Sequence, residues 1–216
     1  MIFLWIILYG LVYCVCTAVE GSPWVLPLGM LAYTAGFLLW ISASGFREWI
    51  RLRKVPKGIP WQLLPVFIPA AGNLLLNAAA FPEWEEGLTL ICVSITEELF
   101  FRGFLFQHLM KQGQGKAVLG TSLLFSLMHL GNLLGGAELS YTMAQLLFGF
   151  WSGVCYCLVI LRWSSIYPCI LAHVMINLTA AGTSGEKWIP AAAGYTAVYV
   201  VYSLWLCNHL RRQKGD

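Results

Sequence analysis

Residues 88–110 read LTLICVSITEELFFRGFLFQHLM. At a rise of ~1.5 Å per residue, a helix of this length crosses a hydrocarbon layer of ~30 Å. Yet Glu97, Glu98 and Arg102 sit near its middle. A charged side chain at the centre of a bilayer costs at least ~2.5–3.5 kcal/mol, so a helix carrying all three cannot stand alone in lipid. Glu98 and Arg102 are four apart with the carboxylate first, which puts them on one face in the favourable order for an ion pair. Glu97 is rotated from Glu98 by about 100° and must find its compensation on another helix. This stretch therefore predicts an all-α, polytopic membrane bundle rather than a single anchor.

The remainder of the chain reads the same way. Hydrophobic residues make up 59% of the 216, charged residues only 11%, and the mean hydropathy is +0.72. A soluble domain carries ~25% charged residues because its surface faces water. Eight segments read as transmembrane helices: 1–19, 24–44, 61–81, 88–110, 117–134, 140–161, 164–181 and 190–210. Helix breakers separate them, among them Gly21-Ser22-Pro23, Pro56-Lys57-Gly58, Phe81-Pro82, Gly113-Gln114-Gly115, Gly135-Gly136 and Gly182-Thr183-Ser184-Gly185. The first segment lacks a basic lead and a small-residue cleavage site before Glu20, so it is expected to be a retained helix rather than a signal peptide. The whole of 1–216 is expected to form one membrane-embedded domain.

Charge placement tests the count. With eight spans, Arg47, Arg51, Arg53, Lys54, Lys57, Lys111, Lys116, Arg162, Arg211, Arg212 and Lys214 fall on one side. Glu20, Glu83, Glu85, Glu86, Glu138, Glu186 and the single Lys187 fall on the other. Cytoplasmic loops carry the excess of Lys and Arg, so both termini are expected in the cytoplasm. A wrong helix count would have scrambled this partition. Trp24, Trp49, Trp61, Trp84, Trp163 and Trp188 lie near span ends, as interfacial anchors do. Segment 46–58 reads as a basic amphipathic stretch at the cytoplasmic surface, either lipid-binding or simply topology-setting. The formal charge of +3 gives no basis for a nucleic-acid partner. The seven cysteines lie in apolar runs, without metal-ligand spacing or a disulfide framework.

Glu97 has few candidate partners. His129 lies within the fifth expected span, and His173 and Asn177, four apart, share a face of the seventh. Counted from Lys111, Lys116 and Trp163 at ~1.5 Å per residue, Glu97 is ~21 Å deep, His129 ~20 Å, His173 ~15 Å and Asn177 ~21 Å. Three helices thus bring polar residues to one layer. A lone His or Asn in a membrane helix is often interhelical glue, but ionisable groups gathered in the membrane point to function. The residues by themselves leave hydrolysis, proton relay and ion transport open. No repeat or broken-helix pair of the transporter type is visible.

Glu97-Glu98-x-x-x-Arg102, Phe125-x-x-x-His129 and His173-x-x-x-Asn177, in that order on successive helices, resemble the three motifs of the CPBP family. These are the intramembrane endopeptidases of the CAAX-prenyl-protease and bacteriocin-processing (Abi) type. The flanks Glu-Glu-Leu-Phe-Phe-Arg-Gly and Ser165-Ile-Tyr-Pro-Cys-Ile-Leu-Ala-His173 agree, so the resemblance covers about residues 88–180, the expected catalytic core. It implies peptide-bond hydrolysis inside the membrane, and no cofactor is expected. Glu97 would be the general base that, with His129, activates a water. His173 and Asn177 would stabilise the oxyanion, and the Glu98–Arg102 pair would hold the fourth helix in place. The family was long described as metalloproteases, and Glu97, Glu98, His129 and His173 form the alternative zinc ligand set, although no H-E-x-x-H is present. The implied partners are membrane lipid and a membrane-bound or prenylated peptide, and the expected location is a bacterial cytoplasmic membrane. The competing reading is a non-catalytic scaffold or bacteriocin-immunity protein of the same fold.

Overall fold

The computed structural model describes residues 2–19, 22–43, 61–76, 81–181 and 185–215. Within them the chain is helical. Helix α1 spans Ile2–Ala18 and α2 spans Val25–Ala43. A single 3-10 turn, Trp61–Leu63, leads into α3 (Leu64–Leu76). Helix α4 (Trp84–Glu98) runs without a break through a π-helical stretch, Leu99–Leu105, into α5 (Phe106–Met110). Then follow α6 (Gln114–Met128), the one-turn α7 (Gly131–Leu134), α8 (Leu139–Trp163), α9 (Tyr167–Ala180) and α10 (Gly185–Gly215). These elements fall on the eight expected segments. Among the described residues, Val25–Ala43, Gln114–Leu134, Leu139–Trp163 and Lys187–Gln213 are long and apolar enough to cross a membrane, and Trp61–Leu76 and Tyr167–Ala180 are shorter apolar helices. The fold is that of a polytopic helical membrane protein.

Two expectations need correction. The fifth segment is a span, Gln114–Leu134, but not a regular helix throughout, because α6 ends at Met128 with His129 as its C-terminal cap and one turn, α7, follows. There the His129 amide bonds back only three residues, to the Ser126 carbonyl, and the helix tightens and ends. Trp188 is not an interfacial anchor. It is buried inside the bundle with its ring 4.7 Å from that of Tyr141. Trp24, Trp61 and Trp84 are exposed at helix starts, as expected. The basic stretch 46–58, Glu20 and Trp49 lie outside the described residues.

Local chemistry sets the helix ends. Glu85 and Glu86 in the first turn of α4 complement its positive end. Ser164, in a left-handed conformation (φ 54°), stops α8, and Pro168 opens α9, where its missing N–H is not needed. Helix α8 is the central post: every residue from Gly153 to Ile160 is buried, as befits a helix apolar all round. It approaches α6 closely through small residues, for a Cβ on Gly153 would stand 2.9 Å from the Ser122 Cα. Tyr199 and Tyr202 of α10 donate hydrogen bonds to the Val66 and Gln62 carbonyls at 2.9 and 2.6 Å, fastening α3 across the bundle.

Candidate active site

The site is built where α4 meets α9. The two helices run antiparallel, so residues four apart on one match residues four apart on the other in reverse order. The Asn177 amide donates to the Ser94 hydroxyl at 2.9 Å, and one turn along, His173 Nδ1 lies 2.8 Å from Glu98 Oε1. The same Glu98 oxygen accepts from Arg102 Nη1 at 2.9 Å. Glu98 and Arg102 are both fully buried. An ionised carboxylate only accepts, so opposite Arg102 it fixes the proton of His173 on Nδ1 and turns Nε2 the other way. That nitrogen comes to 3.8 Å from Glu97 Oε2, beyond a direct hydrogen bond. Side-chain exposures of 12% for His173 and 14% for Glu97 show that these two face open space while Glu98 and Arg102 do not.

The buried arginine is held by more than its carboxylate. Its guanidinium carbon lies 3.9 Å from the centre of the Phe125 ring and 5.4 Å from that of Tyr156. Desolvated cation–π contacts of this kind contribute ~2 kcal/mol. Nε and Nη2 of Arg102 have no hydrogen-bond partner among the described residues, so the aromatic faces carry that part of the charge. Phe125 also meets His129 and His173 edge to face, with centroids 5.2 and 5.9 Å apart. One phenyl ring therefore positions the arginine and both imidazoles.

His129 projects from the end of α6 toward α8, where Gly149 leaves room: a Cβ there would lie 3.6 Å from the His129 ring. Of the two imidazoles open as partners of Glu97, His173 is the one that comes within 4 Å of its carboxylate. His129 faces Glu97 across a cleft of about 620 Å³ whose walls include Glu97, His129, His173 and Asn177. All four expected catalytic residues thus share one space. A narrower recess of about 100 Å³ continues from His129, His173 and Asn177 between Asn73, Tyr156, Trp188 and Tyr195. Glu98 and Arg102 line neither.

Ser94 and Asn73 were missed in the sequence. Asn73, buried on α3, donates toward Thr179 Oγ1 at 3.4 Å and ties α3 to α9 behind the site. Ser94 could have been found, because it lies one turn before Glu98 as Asn177 lies one turn after His173. The second role of Glu98, as orienter of His173, could not be read from the i,i+4 pair alone. The zinc ligand set does not converge, since Glu98 is taken up by Arg102 and His173. Among the described residues no group of three or more His, Cys, Asp or Glu side chains is arranged to hold a metal ion.

Residues 74–179 match the family model described as Type II CAAX prenyl endopeptidase Rce1-like. The match begins in α3 and ends in α9, so it takes in all three motifs and both helices that meet at Glu98 and His173. No curated protein and no solved structure matches the chain. This family match, carried by the helices that build the cleft, supports the CPBP family.

Proposed function

We propose that the protein is an intramembrane endopeptidase that hydrolyses a peptide bond in a membrane-associated peptide or protein. The observation that carries the reading is that Glu97, His129, His173 and Asn177 line one cleft, above a buried Glu98–Arg102 pair that orients His173. A water held between Glu97 and His129 gives a proton to Glu97 as its oxygen attacks the carbonyl carbon. The oxyanion that forms is met by Asn177, which has one amide N–H on Ser94 and a second to donate, with His173 beside it. As the C–N bond breaks, Glu97 returns the proton to the leaving amine. Water enters as both nucleophile and proton source, so the chemistry balances without a metal. Removal of the last residues of a prenylated C-terminus and maturation of a peptide such as a bacteriocin both fit this core, in a bacterial cytoplasmic membrane.

The test compares membrane peptidomes of cells producing wild type or Glu97→Gln at matched levels, with new N- and C-termini mapped. Products found only with wild type are the expected result, and their position separates C-terminal trimming from leader removal. Matching peptidomes, with any cellular phenotype intact in the variant, would replace the protease with a scaffold or immunity protein.

A further inference from the structure

The cleft opens toward one end of the bundle. Its exposed wall residues are Glu86 near the start of α4, Met128 at the end of α6, Gly131 and Asn132 just after it, and Ala181 after α9. These helix ends meet: Asn132 Nδ2 donates to Gln145 near the start of α8 at 2.6 Å, and a Cβ on Gly87 would touch the Leu178 side chain. In the other direction the site is sealed. Leu99, Arg102, Phe106, Cys157 and Ile160 are buried below it and leave no way through from the opposite end.

The two ends of the bundle differ in charge. Among the described residues, Glu83, Glu85, Glu86 and Glu138 stand at the open end with one cation, Lys187. Lys111, Lys116, Arg162, Arg211 and Arg212 stand at the sealed one. The excess of Lys and Arg marks the cytoplasmic side. The acidic, open end therefore faces away from the cytoplasm.

We propose that the cleft admits its substrate from the outer side of the membrane. Resting on the endopeptidase reading, this assigns as substrate a secreted or membrane-anchored peptide whose cleavage segment lies beyond the outer leaflet, not the cytoplasmic C-terminus of a prenylated protein. Glu97 lies eleven residues below Glu86, or ~17 Å along the helix at ~1.5 Å per residue. An extended chain at ~3.3 Å per residue needs about five residues to reach it. The substrate thus offers an unfolded segment of at least that length beside its cleavage point.

The test is side-specific labelling, with Ala181→Cys and Gly131→Cys as probes of the cleft mouth and Lys116→Cys as the probe of the sealed end. A Cβ on Gly131 meets nothing within 4 Å, so that variant folds even if Ala181→Cys does not. Intact and lysed cells producing each variant are treated with a membrane-impermeant maleimide, and unsubstituted protein supplies the background of its native thiols. The expected result is labelling of both mouth variants on intact cells and of Lys116→Cys only after lysis. Labelling of the mouth variants only after lysis overturns the proposal. The readout needs no activity, so it stands apart from the Glu97→Gln peptidome. Outer labelling with unchanged peptidomes would retain the orientation and remove the protease.

Discussion

Glu98 and His173 are joined at 2.8 Å through the same carboxylate oxygen that takes the Arg102 guanidinium at 2.9 Å. One oxygen therefore serves as counter-ion to a fully buried cation and as the orienter of the imidazole that reaches the cleft. The two roles respond differently to substitution. Glu98→Ala leaves Arg102 uncompensated in the core, and breaking a buried pair from one side costs about 3–5 kcal/mol. Thermal unfolding in detergent is expected to show that loss, whereas Glu97→Gln, at the cleft wall, unfolds close to wild type while product formation disappears.

Ser94 and Asn177 separate support from chemistry. Asn177→Ala removes a donor expected at the oxyanion, and loss of such a donor lowers kcat by about 10²–10³-fold. Ser94→Ala removes only one neutral hydrogen bond, for which ~1 kcal/mol is typical, and is expected to lower kcat by less than ~10-fold. Kinetics on a substrate identified from the peptidome check this. Equal losses in the two variants would show that Asn177 acts only as an interhelical tie.

Phe125 is expected to be the most sensitive apolar residue near the site. Phe125→Leu keeps most of the volume but removes the ring under Arg102, worth ~2 kcal/mol when desolvated. It also removes the edge contacts to His129 and His173. Activity should therefore fall further than stability. A variant that unfolds early yet keeps full activity at low temperature would confine Phe125 to packing.

Glu86 lines the cleft near its open end. Glu86→Gln should raise KM for substrates that carry Lys or Arg near the cleaved bond, with kcat unchanged, because binding and transition state are affected alike. The difference from wild type should shrink as salt is raised, since an exposed charge is screened over ~10 Å at 0.1 M. A change in kcat alone would move Glu86 from steering to the chemical step.

Gly153 tests the α6–α8 contact away from the site. A Cβ would approach the Ser122 backbone to 2.9 Å, and forced overpacking typically costs 1–3 kcal/mol, so Gly153→Ala should unfold earlier by about that much. Unaltered unfolding would mean that the helices part easily there.

The helix count was legible because bilayer thickness constrains segment length, and because Lys111, Lys116, Arg162, Arg211 and Arg212 sort to one side only when the count is right. The polar layer was legible for a related reason: Glu97, His129, His173 and Asn177 are costly in lipid and so stand out. What escaped was direction. Phe125-x-x-x-His129 has helical spacing, and Leu130, Leu133 and Leu134 continue the apolar run, so nothing in the residue types marks α6 as ending at Met128. Whether Glu97 meets His129 or His173 depends on how α4 and α9 are rotated against each other, which hydropathy does not encode. Trp188 was misread because aromatic residues suit both an interface and a core, and its burial against Tyr141 is a matter of the partner helix.

The π-helical stretch from Leu99 to Leu105 has a consequence for how this helix can change. The amide of Phe106 bonds to the carbonyl of Phe101, five residues back, where an α-helix would reach back four. The segments on either side are thereby out of phase by one residue, about 100° of rotation. Trp84–Glu98 is keyed to α9, and Phe106–Met110 is keyed to α6, each at its own angle. Deleting one residue between Leu99 and Leu105 would bring the two segments into a common phase. Either the pair at Ser94 and Glu98 or the buried face at Phe106 would then turn away from its partner. A point substitution along the rod acts at its own position, but a change of length in this stretch reaches both ends at once.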